Sequence, residues 1–283
     1  MNKGLAIFFY SVFLIIPSII CSQSPSSTIV LKGSVIDVKG NGIPYINIGV
    51  FRKNAGTVSD DEGNFLLEIG QQFFADSIQF SSIGYHSKSY KIEDLVKLNS
   101  SSHTIILEAQ FISMQEVIVT PKHWHTKVLG NTTRSKFMSG GFSSNDLGAE
   151  AGTLIKIKKK VTTLEKVSFH ISYNKLDSIK VRLNIYTIKG GKPAENILPQ
   201  NIILELGTKQ TGNIEVDLSK YDLEVKDDIL IALQLIEGKG DLRSNIFISA
   251  GLLGPSTYYR EASHAYWKIY NGLSLGINVT VRQ

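Results

Sequence analysis

Short apolar segments separated by turn residues recur along most of the chain, and this pattern constrains the fold more than any other feature. Residues 45–51, 213–217 and 275–281 alternate apolar and polar side chains, which is typical of half-buried β-strands. Residues 92–98 have room for one or two helical turns, and no segment carries a sustained helical stripe. We therefore expect an all-β protein.

The spacing of the turns predicts two β-sandwiches. Residues 29–108 hold about seven short strands with turns between them, which is typical of a sandwich of the immunoglobulin kind. Residues 151–283 hold about eight more candidate strands and suit a second, jelly-roll-like β-sandwich. We interpret residues 109–150 as a connecting segment, because their second part is rich in Gly, Ser, Asn and Thr.

The first 22 residues have the layout of a secretory signal peptide. Lys3 supplies the positive charge, an apolar stretch follows at 5–20, and small or polar residues precede the polar linker at 23–28. Pro17 interrupts the apolar stretch, whereas a spanning helix needs about 20 apolar residues. We expect cleavage after Ser22 and a mature chain without a transmembrane segment.

Export predicts an address in the periplasm, at the outer membrane or on the cell surface. Cys21 offers lipidation as an alternative to cleavage after Ser22, although Ile20 stands where a lipoprotein leader has a small residue. Cys21 is the one cysteine in the sequence, so no disulfide framework is possible. The formal net charge of +5 is spread along the chain, and we do not expect nucleic-acid binding.

Several glycine-centred motifs fall at ordered spacings in the first half. They lie at 33–35, 42–44, 56–60, 63–65 and 78–85. In this order they resemble the carboxypeptidase regulatory-like domain of proteins of the Bacteroidetes type. The resemblance implies an immunoglobulin- or transthyretin-like β-sandwich over 29–108 that serves as an accessory domain rather than as a peptidase.

Two further resemblances concern the rest of the chain. Residues 114–121 (MQEVIVTP) are similar to the segment that joins this domain to the plug of TonB-dependent receptors. A receptor barrel would need on the order of several hundred further residues, more than follow here. The motifs at 173–175, 182–186 and 258–260 resemble the C-terminal sandwich of stand-alone Bacteroidetes proteins, which implies no particular activity.

The turn residues of the first sandwich also make physical sense by themselves. Asp60 and Asp61 can close Asx-type turns, and Gly63 can adopt the positive φ that such a turn requires. Phe65 is then expected to point inward from the following strand. Gly84 allows a sharp bend before Tyr85.

No pattern of catalytic or metal-ligating residues emerges from the sequence. None of the six histidines begins a His-x-x-Glu pair, and there is no Gly-x-Ser-x-Gly nucleophile motif. His123 and His125 would share one face of a strand, but two ligands are too few for a closed zinc site. We therefore predict no catalytic, cofactor or metal site and a protein that is not an enzyme.

Aromatic residues near the C-terminus are the best candidates for ligand binding. Sugar rings stack on exposed aromatic faces, although aromatics are also the commonest large core residues of sandwiches. Both interpretations stay open for this group, whose members are Tyr258, Tyr259, Tyr266, Trp267 and Tyr270.

Three functional hypotheses follow. The first is an exported, non-catalytic binding or scaffold protein of the bacterial cell envelope whose partner is an envelope protein or a glycan. The second is an envelope hydrolase with its active site in the C-terminal β domain. The third is an accessory component of a TonB-linked outer-membrane uptake system, which depends on the segment 114–121.

Overall fold

The computed structural model describes residues 28–98, 102–110, 125–158, 161–241 and 245–283. Strands dominate this part of the chain, and the expected all-β sandwich fold is confirmed. The short helix α1 spans Ile92–Lys97, at the position that the sequence predicts.

The N-terminal strands form two small sheets. Three strands pair in the order β4-β1-β7, where β1 is antiparallel to β4 and parallel to β7, and four pair in the order β3-β2-β5-β6. A one-turn 3-10 helix at Gln71–Phe73 follows β4. The strands are β1 Thr28–Ile36, β2 Asn47–Val50, β3 Gly56–Val58, β4 Asn64–Gly70, β5 Ser77–Ser81, β6 Lys88–Lys91 and β7 His103–Ile106.

The two small sheets enclose one apolar core. Val35, Ile48 and Phe80 are fully buried in it, and the Phe65 ring meets the Phe80 ring edge-to-face at 5.6 Å between centroids. The expectation that Phe65 points inward is therefore confirmed, since only 7% of it is exposed. Strands β4 and β7 alternate buried and exposed residues, because one face packs here and the other meets solvent.

The turn before β4 forms as its residues predict. The Asp60 carboxylate Oδ1 accepts hydrogen bonds from the backbone N–H of Glu62 and of Asn64, at 3.0 and 2.7 Å. Gly63 has φ +86°, which a side chain would strain. The Asx-turn expected at Asp60 is confirmed, and it sets the start of β4.

The C-terminal strands form a continuous 13-stranded sheet. Its main path runs β13-β12-β17-β10-β18-β11-β20-β8, and the other five strands pair with members of this path. A 3-10 turn occupies Ser219–Tyr221. The strands are β8 Thr126–Gly130, β9 Ser139–Ser143, β10 Glu150–Ile155, β11 Thr162–Asn174, β12 Ser178–Lys189, β13 Lys192–Asn196, β14 Ile202–Leu206, β15 Gly212–Asp217, β16 Glu224–Val225, β17 Ile229–Lys239, β18 Asn245–Arg260, β19 Lys268–Leu275 and β20 Ile277–Arg282.

Strand β18 joins the two layers of this C-terminal sandwich. Its first part, 245–249, pairs with β9 and β11, and its second part, 250–260, pairs with β19 and β10. The sheet therefore folds over a large apolar core, to which Leu183 and Phe169 contribute from β12 and β11.

Residues 125–150 add strands to the C-terminal sheet rather than serving only as a connection. β8 pairs with β20, β9 pairs with β18, and Glu150 begins the central strand β10. The polar composition of this stretch hides its strands, because both β8 and β9 lie near sheet edges and carry few buried side chains. Among the described residues, no helix is long and apolar enough to cross a bilayer.

Candidate functional site

One face of the C-terminal sheet carries a row of buried polar side chains. The row runs across four neighbouring strands, because Arg182 on β12 is paired with Gln234 on β17, Gln234 with Glu150 on β10, and Glu150 with Arg260 on β18. Arg182, Gln234 and Glu150 are each at most 1% exposed. Buried charged side chains are stable only when hydrogen bonds or opposite charges compensate them, so we expect such contacts along this row.

The alternation of β12 explains how polar residues reach this position. Leu183 and Ile185 point into the main core, so Arg182, Asn184 and Tyr186 point to the opposite face. A sheet face of this composition ordinarily meets water. Here the N-terminal sandwich covers it.

The Glu150 carboxylate lies at the centre of the network. Its Oε1 accepts a hydrogen bond from Asn184 Nδ2 at 2.8 Å. Its Oε2 accepts from Arg260 Nε at 2.9 Å, from Arg260 Nη2 at 2.5 Å and from the Tyr186 hydroxyl at 3.3 Å. Both oxygens of this fully buried carboxylate are thus satisfied, and two N–H groups of Arg260 donate to the single oxygen Oε2 in a charge-assisted ion pair.

The electrostatics of the network follow from burial and this one negative charge. Burial raises the pKa of Tyr186, and the charge of Glu150 raises it further. Burial lowers the pKa of Arg260, but the charge and hydrogen bonds of Glu150 outweigh that effect, and the net pKa is raised. Arg260 therefore stays charged, and Tyr186 stays a neutral donor, at any ordinary pH.

Aromatic rings close over the Arg260 side of the network. The Arg260 guanidinium lies 4.7 Å from the centroid of the Trp267 ring and 5.9 Å from that of Tyr186. Trp267 also meets Tyr186 and Tyr258 edge-to-face, at 5.8 and 6.5 Å between centroids. These rings hold the guanidinium plane in place through cation–π contact.

The N-terminal sandwich is fastened to this face by hydrogen bonds. Arg182 Nη2 donates to the Tyr45 carbonyl, and Gln234 Nε2 donates to Asn47 Oδ1 at 2.8 Å. Lys180 Nζ donates to the Tyr45 hydroxyl at 2.9 Å and forms an ion pair with Glu237. The pKa of Lys180 is raised by these contacts, its hydrogen bond to Tyr45 first.

A second attachment comes from residues 261–264, which we call the clamp. His264 Nε2 lies 3.3 Å from Ser81 Oγ and 3.4 Å from the Asn47 carbonyl oxygen, and the His264 carbonyl accepts from the Arg52 N–H at 2.9 Å. The Ser263 carbonyl oxygen would lie 2.1 Å from a Cβ on Gly49 and 2.8 Å from one on Gly56. A pair of glycines facing each other on β2 and β3 thus makes room for the clamp.

Three residues at the contact between the two sandwiches have unusual backbone torsion angles. Tyr45, Arg52 and His264 all have positive φ, at 56°, 58° and 63°. Bulky residues rarely adopt this conformation, and each such residue costs on the order of 1 kcal/mol or more. The surrounding hydrogen bonds therefore hold the two sandwiches in one defined arrangement.

A cleft of about 570 Å³ opens between the two sandwiches beside these contacts. Arg182, Arg260 and His264 lie in its wall together with Glu195, which is exposed and paired with Lys189. The remaining polar lining consists of hydroxyl and amide side chains: Asn47, Ser81, Ser82, Tyr85, Ser87, Gln110, Asn184, Tyr186 and Asn196.

The lowered pKa of His264 predicts how the stability of the fold changes with pH. Burial first and the charge of Arg260 second lower its pKa from 6.5 to about 4. Above pH 6.5 both folded and unfolded chains carry neutral His264. As the pH falls towards 4 only the unfolded chain gains the proton, so about 3 kcal/mol of stability is lost. Urea titrations at pH 7 and pH 4.5 should show a smaller difference for His264→Asn, since Asn tolerates the positive φ.

The control for this experiment is His86→Asn, which changes an exposed histidine. We expect the control to keep the full pH dependence of the wild-type protein. An equally steep loss of stability in His264→Asn would show that His264 is not the responsible group.

The structure separates the five aromatic candidates. Tyr258 is buried, and its hydroxyl donates to the Gly191 carbonyl at 3.0 Å, while Tyr259 is partly buried against the main core. Burial raises the pKa of Tyr259 to about 12. Tyr266 and Tyr270 are 56% and 45% exposed. Trp267 is partly buried and contacts Tyr258 as described above, so the five rings do not form one exposed surface, and their role in ligand binding stays a prediction.

Replacing Trp267 by alanine should destabilise the fold. We expect a loss of about 2–3 kcal/mol, less than for a fully buried ring, because Trp267 packs on Tyr186, Tyr258 and Arg260 yet is only partly buried. The neighbouring Tyr266→Ala should cost under about 1 kcal/mol. Equal denaturation midpoints for the two variants would contradict this packing role.

Several other sequence-based candidates lie outside the described residues. These are the leader with Cys21, the segment 114–121 and His123. His125 is described, and its backbone exchanges hydrogen bonds with Gln283. In the described part of the chain no group of three His, Cys, Asp or Glu side chains is placed to hold a metal ion.

The network around Glu150 was not predicted from the sequence. Glu150 ends the stretch assigned to the connecting segment, and Arg260 follows the aromatic pair singled out as a platform. The available signal was the alternating set Arg182, Asn184 and Tyr186 on β12, noted above only as part of a resemblance. Alternation identifies the face but not what covers it.

Comparison with solved structures gives distant likenesses only. A clostridial cysteine protease, a Cwp84 variant after propeptide cleavage, is 9% identical, with 81% of this chain and 51% of that chain covered and a TM-score of 0.40. The cysteine protease and lectin-like domains of Cwp84, a surface layer associated protein of Clostridium difficile, are 10% identical. There 83% of this chain and 50% of that chain are covered, with a TM-score of 0.39. A structure of the infectious bursal disease virus Gx strain is 11% identical, with 90% of this chain and 62% of that chain covered and a TM-score of 0.23.

This chain spans about half the length of the first two of these structures. No curated protein sequence is significantly similar to it. The family model of the CarboxypepD_reg-like domain matches residues 31–119, so the N-terminal sandwich is similar to that family.

Proposed function

We propose that this chain is an exported, non-catalytic binding protein of the bacterial cell envelope, and that the cleft between its two sandwiches holds the ligand. The observation that carries this proposal is the cleft itself, whose wall of hydroxyl and amide groups belongs to both sandwiches. The N-terminal sandwich acts as a scaffold that completes the site. Polar groups fixed on a rigid frame favour binding, because little conformational entropy is lost when a ligand is held.

The chemistry of the cleft supports binding rather than catalysis. Glu150, the buried carboxylate, already accepts hydrogen bonds from Asn184, Tyr186 and Arg260 and has no role left as a general base. His264 has a pKa of about 4 because its ring is desolvated at the interface and lies near the charge of Arg260, and this value is far below the one near working pH that suits a general base. Glu150 orients Arg260 and Tyr186, and His264 lies in the wall of the cleft.

Export rests on the signal-peptide pattern of residues 1–22. Under this proposal the mature protein begins at Gln23 and resides in the periplasm, at the outer membrane or on the cell surface. N-terminal sequencing of the protein recovered from cell-envelope fractions tests it. An intact leader, or recovery from the cytoplasm alone, would contradict export.

Filling the cleft tests the ligand site. Ser87 is exposed and lines the cleft, whereas Ser89, two residues away in β6, is exposed and does not. Ser87→Trp should abolish retention of the protein on arrays of envelope glycans and envelope proteins. Ser89→Trp should leave retention unchanged. Equal retention of both variants would show that the ligand binds elsewhere.

A second candidate function is an envelope hydrolase, favoured by one contact. Ser81 Oγ lies 3.3 Å from His264 Nε2 at the edge of the cleft, which is the distance of a nucleophile and its base. The same nitrogen also faces the Asn47 carbonyl, which suits a donor N–H rather than a base. Release of reducing ends or peptides that disappears in Ser81→Ala would establish this function in place of the first.

A further inference from the structure

One buried donor in the wall of the cleft has no partner. Arg182 Nη2 donates to the Tyr45 carbonyl, but Arg182 Nε has no hydrogen-bond partner among the described residues. Arg182 is 1% exposed. A buried guanidinium N–H without an acceptor costs about 1–3 kcal/mol, so it is uncommon in a finished structure.

The charge of Arg182 is also uncompensated. The row contains two guanidinium groups, Arg182 and Arg260, and a single carboxylate, Glu150, which binds Arg260. Burial is the main cause that lowers the pKa of Arg182 to about 10, and the charge of Arg260 acts in the same direction, whereas Tyr186 and Glu150 oppose it. The wall of the cleft therefore retains about one net positive charge, which attracts an anion.

A second buried polar atom without a partner belongs to a residue on the neighbouring strand. Gln234 is paired with Arg182 across β12 and β17, and its Oε1 is a buried acceptor without a partner among the described residues. Gln234 does not line the cleft, so of these two residues only Arg182 can meet a ligand there, together with the hydroxyl and amide groups of the wall. Only an anion also neutralises the guanidinium, so hydrogen bonding and charge together favour a ligand with a carboxylate and hydroxyl groups.

We propose that the cleft binds an acidic saccharide, with its carboxylate in the part of the cleft that Arg182 lines. The hydroxyl and amide groups of the wall hold the sugar hydroxyls, and the cleft volume of about 570 Å³ suits one or two sugar rings. This inference rests on the proposed function, because it names the ligand class of the same cleft. A peptide carboxylate would share the charge but would not use so many hydroxyl and amide groups.

Matched ligands test the proposal on the wild-type protein. Calorimetric titration with trigalacturonate and with its methyl ester compares the same sugar with and without charge. We expect the acid to bind at least about 30-fold more tightly than the ester, because the ester cannot neutralise Arg182. Arg182→Gln should reduce the preference to within about threefold, while Lys156→Gln, which removes a positive charge outside the cleft, should preserve it.

The possible outcomes distinguish this inference from the proposed function. Equal binding of acid and ester that Ser87→Trp abolishes would overturn this inference and leave the proposed function standing. Tighter binding of a peptide with a free C-terminal carboxylate than of trigalacturonate would overturn the saccharide class. Binding of neither sugar nor peptide up to millimolar concentration would overturn this inference, while the proposed function would still be decided by the Ser87→Trp comparison on the arrays. If Arg182→Gln fails to fold, the acid and ester comparison on the wild-type protein still decides.

Discussion

Replacing Glu150 by Gln is expected to lower the free energy of unfolding by about 3–5 kcal/mol. The substitution keeps the shape of the side chain but removes the one negative charge that faces Arg260. Two buried guanidinium groups then share the sheet face without a counter-charge, since Glu150 is the single carboxylate of the row. Urea denaturation at pH 7, followed by fluorescence, measures the loss.

The control for Glu150→Gln is the same change at an exposed ion pair. Glu195 and Lys189 form such a pair, with 72% and 66% of their side chains exposed, so Glu195→Gln should cost under about 1 kcal/mol. In the double variant Glu150→Gln with Arg260→Met, part of the loss should be recovered, because no charge is left unpaired at that position. Similar losses for Glu150→Gln and Glu195→Gln would contradict the central role of the buried pair.

Replacing Gly49 by Ala should separate the two sandwiches. The new Cβ would lie 2.1 Å from the carbonyl oxygen of Ser263, which is backbone and cannot rotate away. Relief of this overlap requires the clamp to move, which breaks its hydrogen bonds from Ser263 and His264 to Asn47. We expect a loss of about 3–4 kcal/mol, at the upper end of overpacking effects.

Calorimetry gives a second measure of the Gly49→Ala effect. The wild-type protein should unfold in one transition, because the sandwiches share an interface, and the variant should unfold in two. The matched control is Gly207→Ala, since its Cβ would meet only the flexible Gln210 side chain at 3.6 Å. A single unshifted transition in Gly49→Ala would show that the clamp adapts without cost.

The first sandwich was predicted well because its signals are local. The Asx-turn at Asp60 and the inward Phe65 depend on residues within a few positions of each other. Period-two alternation likewise reports on each strand by itself. The residues that determine such features are neighbours in the chain, so the features can be predicted from the sequence alone.

The full length of β18 is not evident from the sequence. Gly251, Gly254 and Pro255 are typical turn residues, yet the strand continues through them to Arg260. The register against β19 shifts on both sides of Gly254, so bulges absorb residues that would otherwise end the strand. Pairing partners distant in sequence overrule the local signal here.

The candidate site was not predictable from the same signals. The sequence assigns Arg182 and Asn184 to the polar face of a strand, and this assignment is correct. Whether that face meets solvent or another sandwich depends on contacts between remote parts of the chain. Glu150 and Arg260 are 110 positions apart and meet only because their strands are neighbours in the folded sheet.

The clamp also determines when the cleft can exist during synthesis. Its contacts with the first sandwich join residues up to 217 positions apart, as between Asn47 and His264. A ribosome delivers the N-terminal sandwich long before His264, and domains generally fold as units as they emerge. The surface of the first sandwich around Gly49 therefore stays uncovered until nearly the whole chain has been made. A chain that ends before the clamp has no closed cleft and cannot bind a ligand there.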